Sequence, residues 1–166
     1  MRSKTFQHAA ILIVDDQQPN IRLLERILQP AGYTNVHGVQ DPRGIGALCR
    51  ELSPDLILLD LHMPYVSGLT VIQQLEEHIR RETFLPILVI TADTLPETRQ
   101  KALAAGATDF LTKPFDPTEV LLRVRNLLET RFLYHGLEEK VQVEQNQVGL
   151  ALPGQGESGL AVGGGQ

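Results

Sequence analysis

The run Asp55-Leu56-Ile57-Leu58-Leu59-Asp60 ends in a carboxylate and is followed at once by Leu61-His62-Met63-Pro64. Its apolar centre is too short for a helix core and reads as a strand buried on both faces, with the proline-containing stretch stopping it. Ligands of open α/β sheets bind outside the carboxyl ends of the strands, so Asp60 is a site candidate rather than a surface charge. Further polar groups stand at the ends of other apolar runs. Ala9 to Val14 leads into Asp15-Asp16, residues 86 to 90 lead into Thr91-Ala92-Asp93, and residues 108 to 112 lead into Lys113-Pro114. Three gathered carboxylates repel one another and raise their pKa values unless a cation offsets them, and an oxygen-only acidic cluster suits Mg²⁺. A carboxylate can attack phosphorus to give an aspartyl phosphate. A phosphoryl group in transit needs its oxygens neutralised from several sides, a task that fits the Thr91 hydroxyl and the Lys113 ammonium beside a metal.

Positioning these groups requires strands alternating with helices, hence crossovers and a parallel sheet. The pattern gives β1 9–14, α1 19–30, β2 34–39, α2 42–52, β3 55–60, α3 68–81, β4 86–91, α4 95–105, β5 108–112 and α5 from 117 onward. Apolar stripes support the helices: Ile21, Leu24 and Leu28; Ile45, Leu48 and Leu52; Leu69, Ile72, Leu75 and Ile79. Thr94 to Glu97 and Asp116 to Glu119 read as capping boxes with an early proline, and Gly32 and Gly106 as helix ends. The second strand carries the weakest pattern.

Asp15-Asp16, Asp60 to Pro64 with Gly68, Thr91-Ala92 and Lys113-Pro114-Phe115 together resemble the receiver domain of two-component response regulators, over roughly residues 8 to 130. The resemblance implies a flavodoxin-like (βα)5 fold, a five-stranded parallel sheet wound on both faces in the order 2-1-3-4-5. It implies Asp60 as phosphoacceptor. Mg²⁺ would be held by Asp16 and Asp60 directly, by Asp15 mostly through water, and by the backbone carbonyl of His62. Lys113 would bind one phosphate oxygen and Thr91 another, Thr91 moving toward it while Phe110 swings inward behind. The Lys113-Pro114 bond is expected to be cis, an isomer that a proline amide makes accessible. The implied partner is a histidine kinase or phosphotransfer protein, and the implied output is a change of the α4-β5-α5 face. That face, with Arg99, Lys101, Asp109, Glu119 and Arg123 as its charges, or the helix beyond it, would also serve a homodimer. In this reading the chain is a signalling receiver that organises its own phosphoryl transfer and dephosphorylation, not an enzyme acting on an outside substrate.

Plainer roles exist for each residue. Adjacent acids often cap a helix or fill a turn, a threonine can simply end a strand, a lysine is usually solvated, and an aromatic within a strand is usually core. What separates the two readings is that all the strand ends converge. A haloacid-dehalogenase-type phosphatase also uses a strand-end aspartate, but it needs an acid two positions on, where His62 stands. An interaction module that has lost phosphorylation is the remaining alternative, and the presence of every site residue argues against it.

Composition sets limits. With 166 residues there is one ordinary domain plus a tail, and no room for a second catalytic domain. A formal charge of −5 without a basic cluster argues against nucleic-acid binding. The single Cys49 excludes an internal disulfide and suits the cytosol, and five scattered histidines lack zinc-ligand spacing. No apolar stretch approaches the length of a membrane span and no signal peptide is evident, which gives a cytoplasmic expectation. Beyond the domain, 131–147 reads as a linker helix extending α5. Gly136 weakens it, and Leu133, Leu137, Val141 and Val148 supply few coiled-coil repeats. It resembles the connector joining receivers to cyclic-di-GMP enzymes of the HD-GYP type. Residues 148–166 hold seven glycines and no Lys or Arg, so a disordered tail is expected. Both a stand-alone receiver and a piece of a longer regulator fit.

Overall fold

The computed structural model describes residues 6–77 and 84–151. Ile11–Val14 (β1), Val36–Val39 (β2), Leu56–Leu59 (β3), Ile87–Thr91 (β4) and Asp109–Thr112 (β5) form one parallel sheet in the order β2-β1-β3-β4-β5. β1, β3 and β4 are buried at every residue, as strands covered on both faces must be. β2 lies at the edge, which explains its mixed, half-exposed pattern. A Cβ at Gly38 would stand 2.3 Å from Ile21 Cγ2, so the glycine is what lets the first helix approach this edge.

Among the described residues five α-helices cover the sheet: Gln18–Leu28 (α1), Ile45–Leu52 (α2), Gly68–Leu75 (α3), Pro96–Ala105 (α4) and Pro117–Ala151 (α5). Ile21, Leu24, Leu28, Val120, Val124 and Leu128 pack α1 and α5 against one face. Ile45, Cys49, Val71, Ile72, Leu75 and Ala102 pack α2, α3 and α4 against the other. This is the expected doubly wound fold.

Helix starts differ locally from the sequence expectation. α2 begins three residues late, because Gly44 takes a left-handed φ of 77° and interrupts the helix after Pro42. The Thr94 capping box does not form. Leu95 precedes α4 without a side-chain cap, and the Asp93 carboxylate instead accepts the Leu95 N–H at 2.9 Å. Asp116 does accept the Thr118 N–H at 2.7 Å, but Glu119 turns to Arg123 instead of closing the box. Gly32 and Gly106, at φ 102° and 122°, end the elements before β2 and β5 as expected. The expected end of α3, including Ile79, lies outside the described residues.

α5 runs unbroken through Gly136 to Ala151, so 148–151 are helical; the remainder of the Gly-rich segment lies outside the described residues. Three residues hold the helix where it leaves the sheet. The buried Arg131 donates to the Phe84 carbonyl at 2.7 Å and reaches Asp55 Oδ1 at 3.4 Å. Phe132 stacks on Phe6 with ring centroids 5.3 Å apart, and Tyr134 meets Phe84 at 5.2 Å.

Candidate functional site

Parallel pairing brings the carboxyl ends of β1, β3, β4 and β5 to one edge, and the polar groups that follow them meet there. Asp60 is delivered by a tight return of the chain: the Asp60 N–H donates to Val14 O at 3.0 Å, and the Gly68 N–H donates to Leu61 O at 2.8 Å. A Cβ at Gly68 would lie 2.6 Å from Asp60 O and from Leu61 Cα, so only glycine lets α3 begin against this loop. Ligand oxygens of Asp15, Asp16 and Asp60 all lie within 4.8 Å of one another. Lys113 Nζ stands 3.1 Å from Asp15 Oδ2 and 3.8 Å from Asp60 Oδ2. The Lys113-Pro114 bond is cis, and the Lys113 N–H donates to Thr91 O at 2.8 Å, tying the ends of β4 and β5.

Burial pushes the Asp60 carboxyl above its ordinary pKa. Lys113 draws it back down, Asp15 pushes it up, and the N–H groups of His62 and Leu61 lower it. Asp16 Oδ1 is buried and accepts no hydrogen bond from any described group. An acceptor of that kind, beside two further carboxylates, fits a hard divalent cation with oxygen ligands.

The family model of the response regulator receiver domain matches residues 11–125. The chain belongs to the receiver family. Its general role is phosphorylation-dependent switching in two-component signalling, and receivers typically bind Mg²⁺ in an acidic pocket such as the one formed here by Asp15, Asp16 and Asp60. The chain is 42% identical over 118 residues to the DNA-binding dual master transcriptional regulator RpaA of Synechocystis, covering 71% of this chain and 48% of that protein. It is 36% identical over 132 residues to the response regulator PleD of Caulobacter vibrioides, covering 80% of this chain and 29% of that protein. It thus spans less than half the length of either relative. Among solved structures, the chemotaxis protein CheY4 of Vibrio cholerae matches with a TM-score of 0.66 at 32% identity, over 72% of this chain and 98% of that one. A response regulator from Chloroflexus aurantiacus matches at 0.68 and 33%, over 74% and 98%.

Within this receiver the acids and Lys113 form one cluster, and the two expected switch residues have contacts of their own. The buried Thr91 accepts the Asp93 N–H on Oγ1 at 3.3 Å. Phe110 is packed in the core with the Arg99 guanidinium 5.7 Å from its ring centre. Sequence reasoning missed several residues. The Asn20 side chain donates to both Asp15 oxygens, at 3.3 and 3.1 Å, and the Gln17 N–H donates to Asp15 Oδ1 at 2.9 Å. The His62 ring reaches Asp93 Oδ2 at 3.0 Å across the mouth of the site. The Leu95 N–H and then the Thr98 hydroxyl hold the Asp93 carboxyl below the ordinary range, with His62 adding to them. No helix among the described residues is long and apolar enough to cross a membrane.

Proposed function

We propose that Asp60 accepts a phosphoryl group from the phosphohistidine of a histidine kinase or phosphotransfer protein, or from a small donor such as acetyl phosphate. The reading is supported above all by one observation, the Asp15, Asp16 and Asp60 oxygens within 4.8 Å of one another with Lys113 Nζ against two of them. A carboxylate oxygen of Asp60 attacks phosphorus, and the bond from phosphorus to the donor breaks with its electron pair staying on the donor. Lys113 neutralises a phosphoryl oxygen, and the Thr91 hydroxyl is assigned another. Asp15, Asp16, Asp60 and the His62 carbonyl are the proposed ligands of Mg²⁺, which when bound supplies the charge that lets dianionic phosphate approach carboxylates. Loss of the phosphoryl group to water, organised by the same pocket, resets the switch.

In this reading residues 8–130 are the receiver and 131–147 its connector, in a cytoplasmic protein that controls a partner or output domain through α4, β5 and α5 without binding nucleic acid itself. Self-pairing through that face would have to work with charges that are partly spent. Arg123 already pairs with Asp109 at 2.7 Å and with Glu119 at 3.0 Å inside the chain, leaving Arg99, which lies over the Phe110 ring, and Lys101 as the members of the expected set without an ion pair among the described residues. Pairing through the α5 extension is the other arrangement.

The test is labelling with acetyl phosphate. Asp60→Asn should remove the label while leaving the far-ultraviolet circular dichroism unchanged, because the amide keeps the shape and loses the nucleophile. A label that persists at another residue overturns the assignment.

A further inference from the structure

Asp93 stands two residues beyond Thr91, and its side chain is held from three directions. Oδ1 accepts the Leu95 N–H at 2.9 Å at the start of α4. Oδ2 accepts the Thr98 hydroxyl at 2.9 Å from within α4, and lies 3.0 Å from His62 Nε2 on the loop after β3. A carboxylate only accepts, so His62 is the donor. The fourth bond points the other way, with the Asp93 backbone N–H donating to Thr91 Oγ1 at 3.3 Å. The hydroxyl assigned to a phosphoryl oxygen is thus engaged by a residue that is itself fixed to α4 and to the β3–α3 loop.

We propose that Asp93 is a latch, anchored by His62 and Thr98, that holds the Thr91 hydroxyl in its resting position and so sets how strongly the phosphorylated site must pull to switch the domain. The inference rests on Asp60 being the phosphoacceptor. His62 and Thr98 act here as positioning residues, through Asp93. For Thr91 to turn toward a phosphoryl oxygen, the Asp93 N–H must follow it or lose it, and following requires the carboxylate to shift against its anchors. A ligand that selects the switched conformer binds with an apparent affinity reduced by the fraction of molecules already competent, so releasing the latch raises that affinity. Single hydrogen bonds to a partly solvated carboxylate give an effect of about three- to tenfold.

Hydrogen–deuterium exchange tests the latch in two stages, using the full chain. Without ligand, His62→Ala and Thr98→Val should both speed exchange over residues 92 to 98, while His62→Gln, whose side-chain amide reaches the position of Nε2, should restore the wild-type pattern. With Mg²⁺ and beryllofluoride as phosphoryl mimic, His62→Ala and Thr98→Val should lower the half-saturating mimic concentration by that three- to tenfold factor. Unchanged exchange in both variants, or a half-saturating concentration equal to or above that of the wild type, overturns the latch while leaving Asp60 in place. Failure of the wild-type protein to respond to beryllofluoride removes the phosphoacceptor reading, and the latch with it.

Discussion

Asp16 carries the plainest residue-scale signature of the site, a buried carboxylate oxygen with no donor among the described groups. An unpartnered acceptor of this kind is costly, and like charge at Asp15 and Asp60 adds to the cost. A cation that binds the folded chain alone removes both costs, and mass action then stabilises by about 2.7 kcal/mol at a hundred times the dissociation constant. For a receiver of this size that corresponds to a rise in Tm of roughly 10 °C. Differential scanning calorimetry with and without Mg²⁺ should record this rise in the wild-type protein and little of it in Asp16→Ala. A wild-type curve indifferent to Mg²⁺ removes the metal from the account. The acids and Lys113 were legible in the sequence because each directly follows an apolar strand, and a parallel sheet sends all such ends to one edge. Asn20, and the bridge from His62 to Asp93, were not legible. Their contacts depend on loop paths, and no periodicity encodes those.

Among the elements, strands and helix stripes were readable to within a few residues because both faces of the inner strands are covered and α1 has a clean apolar stripe. Caps were less readable. A Thr-x-x-Glu pattern at 94 to 97 competes with an aspartate one residue earlier, and the stronger carboxylate acceptor takes the Leu95 N–H. Gly68 was noted as part of a motif, but only the fold gives the reason for it: α3 starts in contact with the backbone that carries Asp60. Gly68→Ala inserts a methyl 2.6 Å from two backbone atoms that cannot rotate aside. The loop must shift, at a cost of about 1–3 kcal/mol as for overpacked cores. Urea denaturation should show this loss. Acetyl phosphate labelling should slow as well, since Asp60 rides on the displaced loop. Wild-type stability and labelling rate in Gly68→Ala would mean that the loop accommodates a side chain.

At the scale of the whole molecule, the least expected feature is how α5 leaves the domain. The sequence puts Arg131 at the start of a linker helix that extends α5 past the domain, with no partner assigned to it. Here it is only 7% exposed and reaches the base of the sheet. Its partner Asp55 precedes β3, the strand that carries Asp60, and accepts the Ala10 N–H at 2.9 Å just before β1. Its other partner, Phe84, precedes β4, which ends in Thr91. One guanidinium therefore ties α5 to the amino ends of strands whose carboxyl ends carry the acids and the switch threonine. Beyond this point Leu133, Leu137, Val141 and Val148 are all more than half exposed, so little packing supports the helix and it depends on its anchored end for nucleation. Arg131→Met keeps the side-chain length and removes the bonds. It should cost about 2–3 kcal/mol, below the range for fully buried pairs because Asp55 is partly solvated. Hydrogen exchange should then accelerate across residues 132 to 147 in the variant, while residues 117 to 128, held by the buried Val120, Val124 and Leu128, keep their protection relative to the domain. Equal exchange across 132 to 147 in variant and wild type would show that the extension is helical on its own account and that Arg131 does not transmit the orientation of the sheet to it.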